Sequence, residues 1–329
     1  MKNEILKILK KNTDYFISGE SISEDFNVSR SAVWKHINTL REEGYEIESQ
    51  SRRGYKLINS PDILTYEEIE EYLKTEFIGR NIQYFESLSS TNIKAKEIAM
   101  EMPEGSIIIS EEQTNGKGRL GRDWTSPKGK GIWMSIILKP DLEPTEVAKL
   151  TLIGAAAVHQ GLEEMGINSK IKWPNDIIIE NKKVCGILTE MSCELNIINY
   201  CIMGIGINVN LETEDFSEEL KEKATSLRII RGEEINRKIL LANILNHFEK
   251  LYIPFRYIGD ISKSIKISRE NSILIGKDIR IIRGDTEKVG KALDIDEEGQ
   301  LVVEMENGNI EKVYSGEVSV RGMKGYVDQ

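Results

Sequence analysis

Residues 116–124 read GKGRLGRDW, placing three glycines, three cations and an indole ring in one short run. No ordinary apolar core tolerates such a run, so any fold of this chain must carry it as a loop between buried segments. Gly116, Gly118 and Gly121 permit positive φ and close approach of backbone to a ligand, while Lys117, Arg119 and Arg122 supply charge for a phosphate or carboxylate. Trp124 offers a face on which a nucleobase stacks. The loop is expected to close over an anion, and the same composition also fits a solvated basic turn. One phosphate motif is excluded, because Gly-Lys is not followed by Ser or Thr as a P-loop requires.

Four further segments carry chemistry-bearing residues. KWPND, residues 172–176, follows an apolar segment and precedes Ile177, Ile178 and Ile179, so Pro174 is expected in a tight turn between two strands that also presents Asn175 and Asp176. Lys183 opens the next strand after a polar turn at residues 180–182 and projects beside that turn in a hairpin. SSTN, residues 89–92, lies between strand-like IQYF and a helical pattern, with Ser90 or Thr91 as N-cap and the free helix amides facing a polar ligand. GIGIN, residues 204–208, ends an apolar strand with Gly204 and Gly206, where something approaches the backbone closely.

The N-terminal segment reads as a winged helix-turn-helix. A helix over residues 2–11 with Ile5, Ile8 and Leu9 inward precedes a helical piece near residues 21–26, a turn at Asn27-Val28 and a helix capped by Ser29. Val33, Ile37 and Leu40 give that helix one buried stripe, leaving Arg30, Ser31, Lys35 and Asn38 elsewhere. Gly44 stops it, and residues 45–58 form a hairpin whose tip carries Arg52, Arg53 and Gly54, placed to touch a DNA backbone. Residues 1–60 hold 10 Lys+Arg and 9 Asp+Glu, a balance of +1, so against −10 for the whole chain the remainder carries −11. The near-neutral segment suits DNA and the acidic remainder repels it, with two copies needed for specific binding.

A chain of 329 residues exceeds one compact core, and the expectation is an α+β multidomain protein. The N-terminus has no apolar signal core and no membrane-length apolar run appears, so a cytoplasmic protein without membrane contact is expected. Cys185, Cys193 and Cys201 lie in strand-like segments without ligand spacing and are expected as reduced core thiols, with no metal held by protein groups alone. His36, His159 and His247 all fall on predicted helices away from the motifs, which excludes a histidine-activated nucleophile. After a long helix over residues 235–257, short alternating runs predict a small β-barrel of about 55 residues. Linkers are expected at residues 59–64 and 261–271.

Taken in order, SSTN, EQTNGKGRLGRDW, KWPND, KVCGIL and GIGIN resemble the biotin-protein ligases over residues 81–257, and the preceding segment resembles the DNA-binding domain of the bifunctional bacterial form. The resemblance implies a winged helix-turn-helix domain at 1–60, a mixed α/β biotin/lipoate-ligase-like catalytic domain at 65–268 and an SH3-like β-barrel at 272–326. It implies attack of biotin carboxylate on the α-phosphate of ATP with Mg²⁺ assisting, followed by transfer from biotinyl-5′-AMP to a lysine of a biotin carboxyl carrier protein of acetyl-CoA carboxylase.

In the roles the resemblance implies, Ser90, Thr91, Asn92 and Gln113 bind biotin, Lys117, Gly118 and Arg119 close over the adenylate, and Gly204 and Gly206 keep the pocket floor clear. Lys183 neutralises the carboxylate and the charge developing at the acyl phosphate. Arg119, Arg122, Trp124, Asn175, Asp176 and Asn208 hold the nucleotide, with the metal near Asp176 and with Arg321 and Glu317 reaching in from the barrel. Lys183, Arg119 and Asp176 carry catalysis, Asp176 helping to deprotonate the incoming lysine. Arg30, Ser31, Lys35, Arg52 and Arg53 meet operator DNA, and the adenylate-bound homodimer represses biotin genes. The family loop reads Gly-Arg-Gly-Arg, and Lys117 here keeps the charge without the bidentate fork. The alternatives are a lipoate-ligase-like enzyme and a non-catalytic biotin-sensing repressor; intact Lys183 and Arg119 favour an active enzyme.

Overall fold

The computed structural model describes residues 1–315, 318–323, 326 and 327, with Val318 described by its backbone alone, so Glu317 lies outside the described residues. Two compact units divide the chain, Met1–Glu71 and Tyr72–Gln329.

The first unit runs α1 (Lys2–Lys11), α2 (Gly19–Asp25), α3 (Arg30–Glu42), β1 (Glu46–Gln50), β2 (Gly54–Asn59) and α4 (Tyr66–Ile69). Ser18 and Ser29 cap α2 and α3, the Ser29 hydroxyl accepting from Ala32 N at 3.2 Å. The stripe Val33, Ile37 and Leu40 packs on Ile5, Leu6 and Leu9, so Leu6 takes the inward place expected for Ile8, which is half-buried. β1 and β2 pair antiparallel as the expected wing. Gly54 has φ +108°, and a Cβ there would stand 1.9 Å from the carbonyl oxygen of Ile17, which accepts the Tyr55 N–H at 2.9 Å.

The second unit is built on a seven-stranded mixed sheet of order β3-β4-β5-β9-β8-β7-β6. Its strands and helices are β3 (Ile82–Phe85), α5 (Thr91–Ile98), β4 (Ile107–Ser110), β5 (Gly131–Leu138), α6 (Val147–Glu164), β6 (Lys170–Lys172), β7 (Asp176–Ile179), β8 (Lys182–Glu194) and β9 (Ile197–Asn208). Only β3 with β4 is parallel. The short helices α7 (Glu218–Lys221) and α8 (Leu227–Arg231) lead to the long α9 (Arg237–Ile258), capped by Asn236 and closed by Gly259 in the left-handed region. Strand alternation assigns the two sheet faces: Ile202 packs under α5, whereas its neighbour Met203 meets α6 at Gly154. Gly161 brings α6 against α9, since a Cβ there would lie 2.7 Å from Ile244.

Residues 261–271, expected as a linker, instead contain α10 (Ser262–Glu270), whose buried side is Ser264, Ile265 and Ser268. The C-terminal strands β10 (Asp278–Arg283), β11 (Thr286–Ile295), β12 (Leu301–Met305), β13 (Ile310–Val313) and β14 (Val318–Gly322) form one antiparallel sheet of order β13-β12-β11-β10-β14. Its edge strands do not pair with one another among the described residues, so the expected barrel is an open sheet in its hydrogen bonding. Cys185 and Cys201 are buried as expected, but Cys193 is exposed because it lies at the end of β8 beside the exposed turn at Leu195-Asn196. No helix among the described residues is long and apolar enough to cross a membrane.

Gly54→Ala is expected to destabilise the first unit by roughly 2 kcal/mol or more, through clash and a disfavoured φ. Urea unfolding of the full chain, followed by Trp34 fluorescence in a background where the other tryptophans are phenylalanine, measures it.

Candidate active site

The glycine-rich loop is a twisted ribbon with a clamped base. Trp124 N donates to Gly116 O at 2.9 Å, Gly118 N donates to Arg122 O at 2.7 Å, and Lys117 pairs with Asp123 at 2.6 Å. Only Gly121 of its three glycines has positive φ, at +70°; Gly116 is required instead for space, a Cβ there falling 2.5 Å from Trp124 O. At the base, the buried Arg237 donates through Nη1 to Glu111 Oε2 at 2.8 Å and to Gly131 O at 2.9 Å, and Gly129 N donates to Glu111 O at 3.1 Å. One guanidinium thus holds both ends of the loop.

Beneath the loop, the α5 face of the sheet has been stripped of side chains. Gly186 on β8 stands opposite Gly206 on β9, and Leu188 opposite Gly204. A Cβ at Gly204 would strike Asn92 Oδ1 at 2.2 Å, one at Gly206 would strike Trp124 Nε1 at 2.5 Å, and one at Gly186 would meet Lys183 and Trp124. The space left by the two expected floor glycines is therefore taken up by the Asn92 amide and the indole ring. Gly186 was not singled out by sequence, although its place inside an apolar strand is the same signal that marked Gly204 and Gly206.

The narrow cleft on this floor, 50 Å³, is lined by Ser90, Thr91, Asn92, Gln113, Lys117, Gly118, Arg119, Lys183, Gly204 and Gly206. Ser90 occupies the N-cap position of α5 but its side chain does not cap; Gln113 Oε1 reaches across and accepts from Thr91 N at 2.8 Å. A larger cavity of 610 Å³ adjoins the cleft and shares Gly118, Arg119, Trp124, Asn175 and Lys183 with it. Arg122, Asp176, Asn208 and Arg321 line the larger cavity.

Electrostatics concentrate at this shared wall. Arg119 Nη1 donates to Asn175 Oδ1 at 2.7 Å, tying the loop to the turn between β6 and β7, and burial lowers the guanidinium pKa below its ordinary value, with Asp176 opposing the shift. Lys183 Nζ lies 2.6 Å from Asp176 Oδ1, an ion pair outside aligned hydrogen-bond geometry. Burial alone would raise the Asp176 carboxyl, but Lys183 and Lys172 overcome it and hold it low. Lys172 is buried, and desolvation pushes its ammonium down to about 7, with Asp176 working against the shift and Lys183, Arg321 and Arg122 adding to it.

Sequence reasoning missed Tyr326, whose ring centroid lies 3.2 Å from Lys172 Nζ and whose hydroxyl donates to Asp176 Oδ2. A contact spanning 150 residues leaves no local pattern to read. Two buried donors, Trp124 Nε1 and Arg321 Nε, have no hydrogen-bond acceptor among the described residues. No group of three or more His, Cys, Asp or Glu that could hold a metal occurs among the described residues.

In the first unit, Arg30, Ser31 and Lys35 are exposed on α3, and Arg52 and Arg53 are exposed at the wing tip. Arg30 pairs with Glu20, Ser31 Oγ lies 2.8 Å from Ser29 Oγ, and Arg53 stands 4.4 Å over the Phe16 ring. Trp34, 57% exposed and one helical turn after Arg30, was not among the expected contacts. Its signal was present: an aromatic ring off the buried stripe of a recognition helix.

Residues 84–208 match the model of the biotin/lipoate A/B protein ligase family, residues 2–56 an HTH domain and residues 274–321 the biotin protein ligase C-terminal domain. The protein is therefore a ligase of the biotin/lipoate type joined to a helix-turn-helix module. The bifunctional ligase/repressor BirA of Bacillus subtilis is 44% identical over 97% of this chain and 98% of its own length, and that of Escherichia coli is 27% identical over 93% of each. The biotin protein ligase of Aquifex aeolicus, solved in complex with biotin and ATP, is 31% identical and aligns with a TM-score of 0.65 over 74% of this chain and 99% of its own. The chain belongs to the biotin protein ligase family, in its bifunctional ligase/repressor form.

Arg237→Met is expected to strand Glu111 as an uncompensated buried charge and to cost roughly 3–5 kcal/mol. Glu111→Gln in the same background should recover most of the loss, read as the thermal midpoint of the second unit.

Proposed function

We propose that this protein joins biotin to ATP, forming biotinyl-5′-AMP and pyrophosphate, and passes the biotinyl group to a lysine of a biotin carboxyl carrier protein. The observation that carries the reading is the shared wall: a cleft for one ligand meets a cavity for another at Arg119 and Lys183. A carboxylate oxygen attacks the α-phosphorus there and pyrophosphate leaves toward the larger cavity. Lys183 and Arg119 offset charge at the reacting atoms, and positioning supplies the rest of the acceleration. The acceptor amine then attacks the acyl carbon and AMP leaves, with Asp176 placed to take the amine proton. Mg²⁺, when bound with ATP, neutralises phosphate charge; Asp176 is the carboxylate placed to hold it beside the phosphates and water.

Ser90, Thr91, Asn92, Gln113 and Lys117 line the biotin side, and Arg122, Trp124, Asn175, Asn208 and Arg321 the nucleotide side. The unpaired donors of Trp124 and Arg321 support a ligand rich in acceptors, as a nucleotide is. The indole over Gly206 walls the cleft, and the loop closes over the adenylate. Domains at 1–60, 65–268 and 272–326 divide the work, the last with SH3-like character, and the adenylate-bound protein pairs as a homodimer on operator DNA through Arg30, Ser31, Lys35, Arg52 and Arg53.

With ATP, Mg²⁺ and an acceptor domain, biotin is expected to drive pyrophosphate release and acceptor labelling, and lipoate is not. Turnover with lipoate alone overturns this reading, and operator binding without turnover leaves a sensor-repressor. Lys117→Arg, restoring a fork at the loop, should slow adenylate dissociation; equal rates refute that role.

Lys172 sets a pH signature. Its ammonium titrates near 7 in the folded protein against 10.5 ordinarily, so between these values the unfolded chain binds the extra proton and stability rises with pH. A phosphate placed beside Nζ restores the ammonium. ATP binding at about pH 8–9 should therefore take up close to one proton, seen calorimetrically as a buffer-dependent heat that Lys172→Met removes.

A further inference from the structure

We infer that Glu190 is a positioning residue for the biotin end of the cleft, fixing Asn92 so that the cleft presents hydrogen-bond acceptors to its ligand. The inference rests on the ligase reading above.

Glu190 sits on β8, on the α5 face of the sheet, outside the lining of the cleft. One carboxylate oxygen accepts from Lys96 Nζ at 2.6 Å and the other from Asn92 Nδ2 at 2.7 Å. A carboxylate paired with an ammonium only accepts, so the Asn92 amide must turn its nitrogen toward Glu190 and its oxygen inward. Asn92 Oδ1 then accepts from Ser135 Oγ at 2.6 Å, Ser135 Oγ lies 2.8 Å from Thr91 Oγ1, and Thr91 Oγ1 lies 3.2 Å from Gln113 Oε1. Gln113 is fixed independently, since its oxygen accepts from Thr91 N at 2.8 Å and its nitrogen donates to Ser126 Oγ at 2.9 Å.

Counting protons shows what this orientation does. Three contacts link Ser135, Thr91 and the two amide oxygens, but the two hydroxyls bring only two protons. No acceptor is orphaned by this, since Gln113 Oε1 already accepts from Thr91 N, but Thr91 Oγ1 and Asn92 Oδ1 keep lone pairs for a further donor, and a ligand N–H entering beside them is received there. The ureido ring of biotin carries such N–H groups, whereas the dithiolane ring of lipoate carries none. Glu190 therefore sets which ring the cleft accepts, without touching it.

Biotin-dependent pyrophosphate release by the full chain, with KM measured separately for biotin and ATP, tests this on Glu190→Gln, Asn92→Asp and the double variant. Glu190→Gln allows Asn92 to flip and should raise the biotin KM about tenfold, leaving the ATP KM and thermal midpoint near wild type. Asn92→Asp sets two carboxylates face to face and should raise it about 100-fold. In the double variant the amide introduced on β8 donates to the carboxylate introduced on α5, whose other oxygen again accepts from Ser135, so the biotin KM should fall back at least about tenfold from that of Asn92→Asp. A Glu190→Gln protein with an unchanged biotin KM, an ATP KM that rises in parallel, or a double variant no better than Asn92→Asp overturns the inference. If Asn92→Asp does not fold alone, Glu190→Gln and the double variant decide the matter by the same KM split. A wild-type protein inert to biotin overturns the ligase reading as well.

Discussion

Everything at the site depends on a buried guanidinium at the start of α9. Arg237 stands at the first position of that helix, where the backbone dipole disfavours a cation. Glu111 and the Gly131 carbonyl outweigh this by surrounding it at 2.8 and 2.9 Å. Because these groups bracket residues 112–130, the loop can be polar, glycine-rich and open to solvent while its two ends stay fixed on the sheet. The cations of the loop consequently have a defined reach, and Arg119 finds Asn175 across the site.

A second constraint is the glycine pattern of β8 and β9. Removing side chains from one face of a sheet usually weakens it, and here the gap is filled from above by Trp124 and from the side by Asn92. Those two residues belong to different elements, the loop and α5. Their meeting over a bare backbone floor is what turns a sheet surface into a cleft, and the cations at its mouth then face the larger cavity.

Much of this was legible in the sequence because it is written in local signals. Ser29 before an i, i+4, i+7 stripe located α3, and glycines inside apolar runs located the floor. The linker expected at 261–271 failed because the buried side of α10 includes Ser264 and Ser268, which carry no hydrophobic signature. Cys193 looked like a core thiol because its strand-like segment continues right up to the exposed turn at Leu195-Asn196. Long-range partners were the least legible. Nothing near Asp176 announces Tyr326, and nothing near Asn92 announces Glu190, since both pairings are made by the fold rather than by spacing.

The floor has a bearing on how errors in folding would show. Its shape comes from Gly186 facing Gly206 and Leu188 facing Gly204, so it exists in one strand register only. A one-residue slip of β8 would turn Cys185 and Ile187 onto that face and fill the trough with side chains, while its ladder hydrogen bonds re-form with shifted partners. Such a molecule would be folded by spectroscopic criteria yet closed to its ligand. Ligand occupancy in this architecture is thus a gauge of strand registration, and a preparation's active fraction reports assembly fidelity as much as chemical competence.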